Sequence, residues 1–215
     1  GSLTSVTIGD SVTTIGVCAF DCCTSLTSVN IPDSVTTIGS SAFENCTSLT
    51  SVNIGDSVTT IGNAAFGSCD SLQEFKGKFA TEDGRSLIVD NRIIAYANAS
   101  GTTYTIPDSV TTIGDGAFGS CSSLTSVIIP DSVTKIGNYT FIDCSSLTSV
   151  TIPDSVTTIG DEAFYYCSSL TSVYCKAITP PAGGSSMFYS DASGRKIYVP
   201  MESVEAYKSA SYWSD

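Results

Sequence analysis

Six cysteines recur at one fixed interval. Cys23, Cys46 and Cys69 lie 23 residues apart, and Cys121, Cys144 and Cys167 repeat the same step. Such a column could hold metal, form disulfides, or do neither and fill a small apolar slot. A zinc-type site needs clustered C-x-x-C or His partners, and the sequence contains no His. A disulfide needs two complementary partners, whereas here every copy places the same Cys in the same place. Buried, reduced thiols are therefore expected, since Cys packs as a small hydrophobe. Cys18, Cys22 and Cys175 stand off the column, and Cys175 takes the place of a strand Ile.

A second column is acidic: Asp10, Asp33, Asp56, Asp108, Asp131 and Asp154. Stacked carboxylates and carbonyls are hard ligands that would suit divalent cations. The glycine-rich calcium-binding repeat is absent, so each Asp is expected to serve its own turn by bonding the backbone two residues on. The D-S-V triplet also resembles an O-glycosylation acceptor, which would place sugar on Ser11, Ser34 and their equivalents. There is no G-x-S-x-G, no phosphate loop and no close pair of acids in an apolar setting. No catalytic, cofactor or metal residue is assigned, and the chain is read as a non-enzyme that needs no cofactor.

The elements that carry these columns are repeats. Leu3, Leu26, Leu49 and Leu72 are each 23 apart, as are Leu124, Leu147 and Leu170. The unit reads L-T-S-V-T-I-P-D-S-V-T-T-I-G-x-x-A-F-x-x-C-x-S. Val6, Val29, Val52, Val127, Val150 and Val173 form one apolar column; Phe20, Phe43, Phe66, Phe118, Phe141 and Phe164 form another. The S-V-T-I alternation has the period of a strand, with Val and Ile inward. Pro32, Pro107, Pro130 and Pro153 end it, because Pro cannot donate to a ladder. V-T-T-I-G is a second extended piece, and A-F-x-x-C is expected to form one short helical turn on the outer side. Burying a coil's large side chains gains roughly 1.5–3 kcal/mol each, against about 1–2 kcal/mol per ordered residue. A single coil therefore cannot fold alone. Stacking eight or nine of them into a β-rich solenoid of the leucine-rich kind closes the gap.

Two stretches interrupt the period. From Leu72 to Leu124 is 52 residues, one repeat of 23 plus 29. Residues 77–101 contain Asp83-Gly84 and Asp90-Asn91 as turn signals between Leu87-Ile88-Val89 and Ile93-Ile94-Ala95-Tyr96. They read as a β-hairpin packed on the solenoid, or as a degenerate coil. At the C-terminus, Lys196-Ile197-Tyr198-Val199-Pro200 repeats the strand rhythm, and Glu202 to Ala210 reads as a capping helix with Val204 and Tyr207 inward. One solenoid domain follows, with repeats over 1–76 and 102–175, the insertion at 77–101 and a cap over 176–215. The net charge of −12, from 21 acidic and 9 basic residues, disfavours nucleic acid and anionic lipid. No run of 18 apolar residues is present, so no membrane insertion is expected. The start at Gly1-Ser2 without Met suggests that a signal peptide has been removed.

The recurring L-T-S-V-x-I-P-D-S-V-T-x-I-G-x-x-A-F-x-x-C-S-S resembles the BspA-like leucine-rich repeat proteins of gut and oral bacteria, over nearly the whole chain. The E-D-G-R-S-L-I-V-D-N segment and the K-I-Y-V-P-x-E-S-V-E-A-Y-K ending look like that group too. The resemblance implies a cell-surface or secreted protein, some relatives being adhesins, and brings no catalytic residues with it.

The concave face of a solenoid is its usual binding surface. Here it is mostly Ser, Thr and Asn, a hydrogen-bonding ladder poor in the Tyr, Trp and Arg that anchor interfaces. Glu74, Lys76, Thr105, Ile128, Thr151 and Tyr174 are the candidate binding residues. Two functions stay open: recognition of a host or bacterial surface protein or glycan, or a rigid spacer holding other domains away from the cell. The first coil, with Leu3, Val6, Ile8, Val12, Ile15 and Phe20, has no polar cap before it. An upstream cap or an end-to-end dimer is expected there.

Overall fold

The computed structural model describes residues 2–213. Each repeat forms one coil, and about eight coils stack. Coils one to four begin at Leu3, Leu26, Leu49 and Leu72, coil five at Gly101, and coils six to eight at Leu124, Leu147 and Leu170. The S-V-x-I segments become front strands. In Ser28–Ile31, Ser51–Ile54 and Ser149–Ile152 the Val and Ile are buried while the residue between them faces out. They pair in parallel with a step of one repeat, Val29 opposite Val52 and Val150 opposite Val173. The V-T-T-I pieces make two-residue side strands such as Thr37–Ile38, each burying its Ile. In the first coil only Thr14–Ile15 is a strand; Leu3, Val12 and Val17 are exposed.

The outer segment is not the expected helical turn. Two residues four apart adopt left-handed backbone in each of these turns: Ser41 and Asn45 at φ 54° and 58°, Ala64 and Ser68 at 50° and 52°, Tyr139 and Asp143 at 54° and 58°. The result is a pair of tight turns whose alternate N–H groups point at the next coil. Ser41, Phe43 and Asn45 donate to the carbonyls of Asn63, Ala65 and Gly67 at 3.0, 2.8 and 2.9 Å. A helix bonds its N–H groups internally and could not supply this third ladder. Left-handed backbone costs an L-residue about 1–2 kcal/mol, and the ladder offsets it.

Inside, the Phe column is a continuous stack. Ring centroids lie 5.1 Å apart for Phe20–Phe43, 5.5 Å for Phe43–Phe66, 5.0 Å for Phe118–Phe141 and 5.2 Å for Phe141–Phe164. Thr side chains add a rung at each step, as where Thr50 donates to the Thr27 carbonyl and Thr148 to that of Thr125.

Coil four breaks the regularity. Its front strand, Glu74–Gly77, ends a three-stranded sheet, and a separate five-stranded sheet starts at Thr103–Thr105. Between them, Ser86–Val89 and Arg92–Tyr96 form an antiparallel hairpin, and Arg92–Tyr96 pairs in parallel with Thr112–Ile113. The second hairpin strand therefore stands in for a side strand. Its neighbours face opposite ways: Ile93 and Tyr96 join the core of coils five to eight, while Ile94, Ala95 and Ala97 join that of coils one to four. The expected hairpin exists, but it is a partition inside the solenoid and is not carried on its surface. Tyr96 continues the aromatic stack, 5.0 Å from Phe118, and Arg85 ties the junction by donating to the Tyr96 hydroxyl and the Thr103 carbonyl.

The C-terminal cap is a 3-10 turn, Met201–Ser203, followed by a helix, Val204–Ser209. Tyr207 is buried as expected, its hydroxyl donating to the Ala177 carbonyl at 2.9 Å, while Val204 is half-buried. Ser203 does not cap the helix; its hydroxyl turns back to the Pro200 carbonyl. Trp213 completes the plug, with its indole N–H on the Pro181 carbonyl.

Candidate binding surface

The front sheet of coils five to eight brings four of the six candidate residues into one row. Thr105 lies opposite Ile128, Thr151 opposite Tyr174, and Val127 opposite Val150 brings Ile128 beside Thr151. All four point outward because each follows a buried residue on its strand. The row gains a member that the sequence reading did not select. Tyr198, opposite Tyr174, stacks on it with centroids 4.7 Å apart and planes 12° from parallel. Ile128 is 59% exposed, Tyr174 43% and Tyr198 44%. Around them stand Ser126, Ser149 and Ser172, with Lys196 opposite Ser172. Apolar anchors are thus framed by hydroxyls and one ammonium.

Glu74 and Lys76 fall elsewhere. They sit on the last strand of the other front sheet, beyond the break, and pair with each other at 2.7 Å. Both are well exposed, so that pair contributes at most about 1 kcal/mol.

The columns with chemical potential are used internally. Cys46 and Cys69 donate their thiols to the carbonyls of Phe20 and Phe43 at 3.2 Å, and Cys144 and Cys167 to those of Phe118 and Phe141 at 3.1 Å. Cys121 donates to the Asn98 side chain. Burial pushes the Cys46 thiol up to about 11 and the Cys175 thiol to about 12; Cys69, Cys144 and Cys167 rise well above the ordinary thiol range for the same reason. The thiolate that a metal or nucleophilic role needs is therefore suppressed. Cys46, Cys69, Cys121, Cys144 and Cys167 are buried free thiols, whereas Cys23, in the first coil, is only half-buried.

Carboxylates cap neighbouring coils more than their own turns. Asp33 accepts the amide of Asp56 at 2.8 Å, which departs from the own-turn expectation. Asp115, Asn138 and Asp161 accept the amides of Asn138, Asp161 and Ser185 in succession. The Ser185 hydroxyl and amide hold the Asp161 carboxyl below its ordinary value. Among the described residues no three His, Cys, Asp or Glu side chains gather to hold a metal. Within the D-S-V triplets, Ser132 and Ser155 donate to the carbonyls of Val110 and Val133 at 2.7 Å, so those hydroxyls are occupied in the fold.

The comparisons with known proteins agree with this geometry. The BspA type leucine-rich repeat region matches in six copies over residues 1–82 and 92–214. The gap between the two matched stretches contains the hairpin's first strand and turn. A leucine-rich repeat protein from Eubacterium ventriosum superposes with a TM-score of 0.56 at 20% identity, covering 97% of this chain and 72% of its own. The leucine-rich repeat protein of T. pallidum gives 0.51 at 26% identity, covering 99% and 85%. The pneumococcal vaccine antigen PcpA gives 0.53 at 18% identity, covering 89% and 62%. No curated protein matches the chain in sequence.

Proposed function

The chain belongs to the BspA-type leucine-rich repeat family, and from that premise we propose that it is a non-catalytic recognition module of a bacterial cell surface or secretion. It binds a surface protein or glycan through the front sheet of coils five to eight. The observation that carries this reading is the row of Ile128, Tyr174 and Tyr198. These are large apolar side chains in a column that elsewhere holds Asn30, Asn53, Thr105 and Thr151. These side chains stand outside the buried core and expose apolar surface to water at a cost. Tyr anchors of this kind dominate interface energies, and the flanking Ser and Thr hydroxyls suit hydrogen-bonded recognition.

The test is binding of the chain to immobilised extracellular-matrix proteins and glycans, beside a Tyr174→Ser, Tyr198→Ser double variant. A ligand held by the wild type and weakened at least about tenfold by the variant supports the module. Silence across the whole panel favours the rigid spacer, for which the inter-coil ladders would be the purpose of the fold.

A further inference from the structure

The outer turns of the C-terminal half carry a second exposed apolar surface, on a different face from the row above. In coils one to three the residue after the columnar Phe is Asp21, Glu44 or Gly67; in coils six to eight it is Ile142, Tyr165 or Tyr189. Tyr165 and Tyr189 stack at 5.4 Å, and Tyr166 meets Tyr165 edge-on at 4.5 Å. Tyr139, Tyr166 and Tyr189 are 44%, 48% and 59% exposed. Tyr139 and Tyr166 also occupy left-handed positions, φ 54° and 58°, where coil two uses Ser41 and Asn45. The backbone there serves the inter-coil ladder, Tyr139 donating to the Asp161 carbonyl at 2.9 Å and Tyr166 to that of Tyr189 at 3.0 Å, but a bulky side chain is out of place on it. The ladder needs only the backbone, so the choice of Tyr over the small polar residues of coil two points to function.

The turns that carry these rings hold charge of one sign. The outer turns of coils five to eight, residues 114–121, 137–144, 160–167 and 184–191, hold Asp115, Asp143, Asp161, Glu162 and Asp191 and contain neither Lys nor Arg. Among the described residues only Asp191 of these acids is paired with a cation, Arg195 at 3.1 Å. Beside Tyr139 a groove of about 570 Å³ opens, walled by Glu44, Asp115, Asp143 and Ile142. It forms at the partition, where the Ala64 amide reaches the Asp115 carbonyl directly and skips coil four. Arg92, beside it, is held by the Asn63 side chain.

We propose that this outer face docks an extended cationic segment of a partner protein, with Arg or Lys alternating with apolar residues. Guanidinium groups would pair with Asp143 and Glu162 and lie on the Tyr rings, a contact that exploits both the charge and the π-face. A neutral glycan would use the rings and leave the carboxylates idle, and the net charge of −12 steers basic segments toward the chain.

The experiment titrates the full chain into a fluorescein-labelled short peptide of alternating arginine and leucine, read by anisotropy. The matching glutamate–leucine peptide and a cello-oligosaccharide serve as comparisons. Saturable binding of the arginine peptide alone is expected. Tyr139→Asn with Tyr166→Asn should weaken it about tenfold or more. Asp143→Asn with Glu162→Gln should weaken it and flatten its salt dependence. Tyr174→Ser, on the front sheet, should leave it unchanged, which separates this site from the one proposed above. Both Tyr→Asn changes relieve backbone strain, so the unfolding midpoint should not fall. Absence of saturable binding, equal binding by the Tyr variants, or capture of the oligosaccharide in place of the peptide would overturn the proposal.

Discussion

Ile93 and Ile94 are adjacent and identical in chemistry, yet they are buried in different cores. Ile93 is 0% and Ile94 5% exposed, so truncating either to Ala leaves a cavity and should cost about 2–5 kcal/mol. In a solenoid that loss is felt by the coils in contact and is not shared evenly along the array. A loss near 3 kcal/mol raises the local opening equilibrium about a hundredfold. Hydrogen exchange read by mass spectrometry resolves where. Ile93→Ala should accelerate exchange in peptides spanning 103–136, which hold Tyr104, Ile113 and Phe118, and spare those of coils two and three. Ile94→Ala should do the reverse, loosening 28–61. If both variants accelerate the same peptides by the same factor, the hairpin is not a partition and the two cores are one.

Ala64→Gly should raise stability by about 1 kcal/mol, because Ala64 sits at φ 50° where Gly carries no left-handed penalty; a drop in the urea midpoint would show that its methyl contact matters more. In denaturant all six columnar cysteines should titrate as thiols, while in the native protein Cys46, Cys69, Cys121, Cys144 and Cys167 should resist modification; three or more disulfides would contradict the buried-thiol account. Asp161, whose folded carboxyl is held below its ordinary value, contributes stability that is present above the unfolded value and lost as pH falls through the folded one. The Ser185 amide should therefore lose protection in acid. Asp161→Asn, which can accept as Asn138 already does, should keep it; equal acid sensitivity of the two proteins would refute this.

Much of the fold was legible because a 23-residue period leaves little freedom. Once Val29, Val52 and Val150 are aligned, strand register and inward faces follow, and a Cys in the same slot of six coils argues for unpaired thiols. The outer turn misled because the Ala, Phe and Cys spacing fits a helical turn as well as it fits two tight turns. The distinguishing signal was beside them, in Ser, Asn and Gly at positions four apart, such as Ser41 with Asn45. The partition was half legible. Leu87, Ile88, Ile93 and Ile94 give the hairpin apolar residues on both faces, which one packing surface does not require and two cores do. Tyr198 escaped selection because its strand was counted with the cap; it lies 24 residues after Tyr174, the extra residue falling between Cys175, which pairs with Ile152, and Ala182, which pairs with Thr158. Ligand identity was never in the pattern, because repeats specify a scaffold and the departures from the repeat mark where it is used.

Those departures make the decisive measurement a parallel one. The chain and its Tyr174→Ser, Tyr198→Ser variant should be passed over the same array of matrix proteins and glycans, with Lys76→Ser as a control on the other front sheet. The account predicts at least one ligand that the wild type and the Lys76→Ser variant retain equally and the double variant loses. A ligand retained by all three proteins with equal affinity would contradict it.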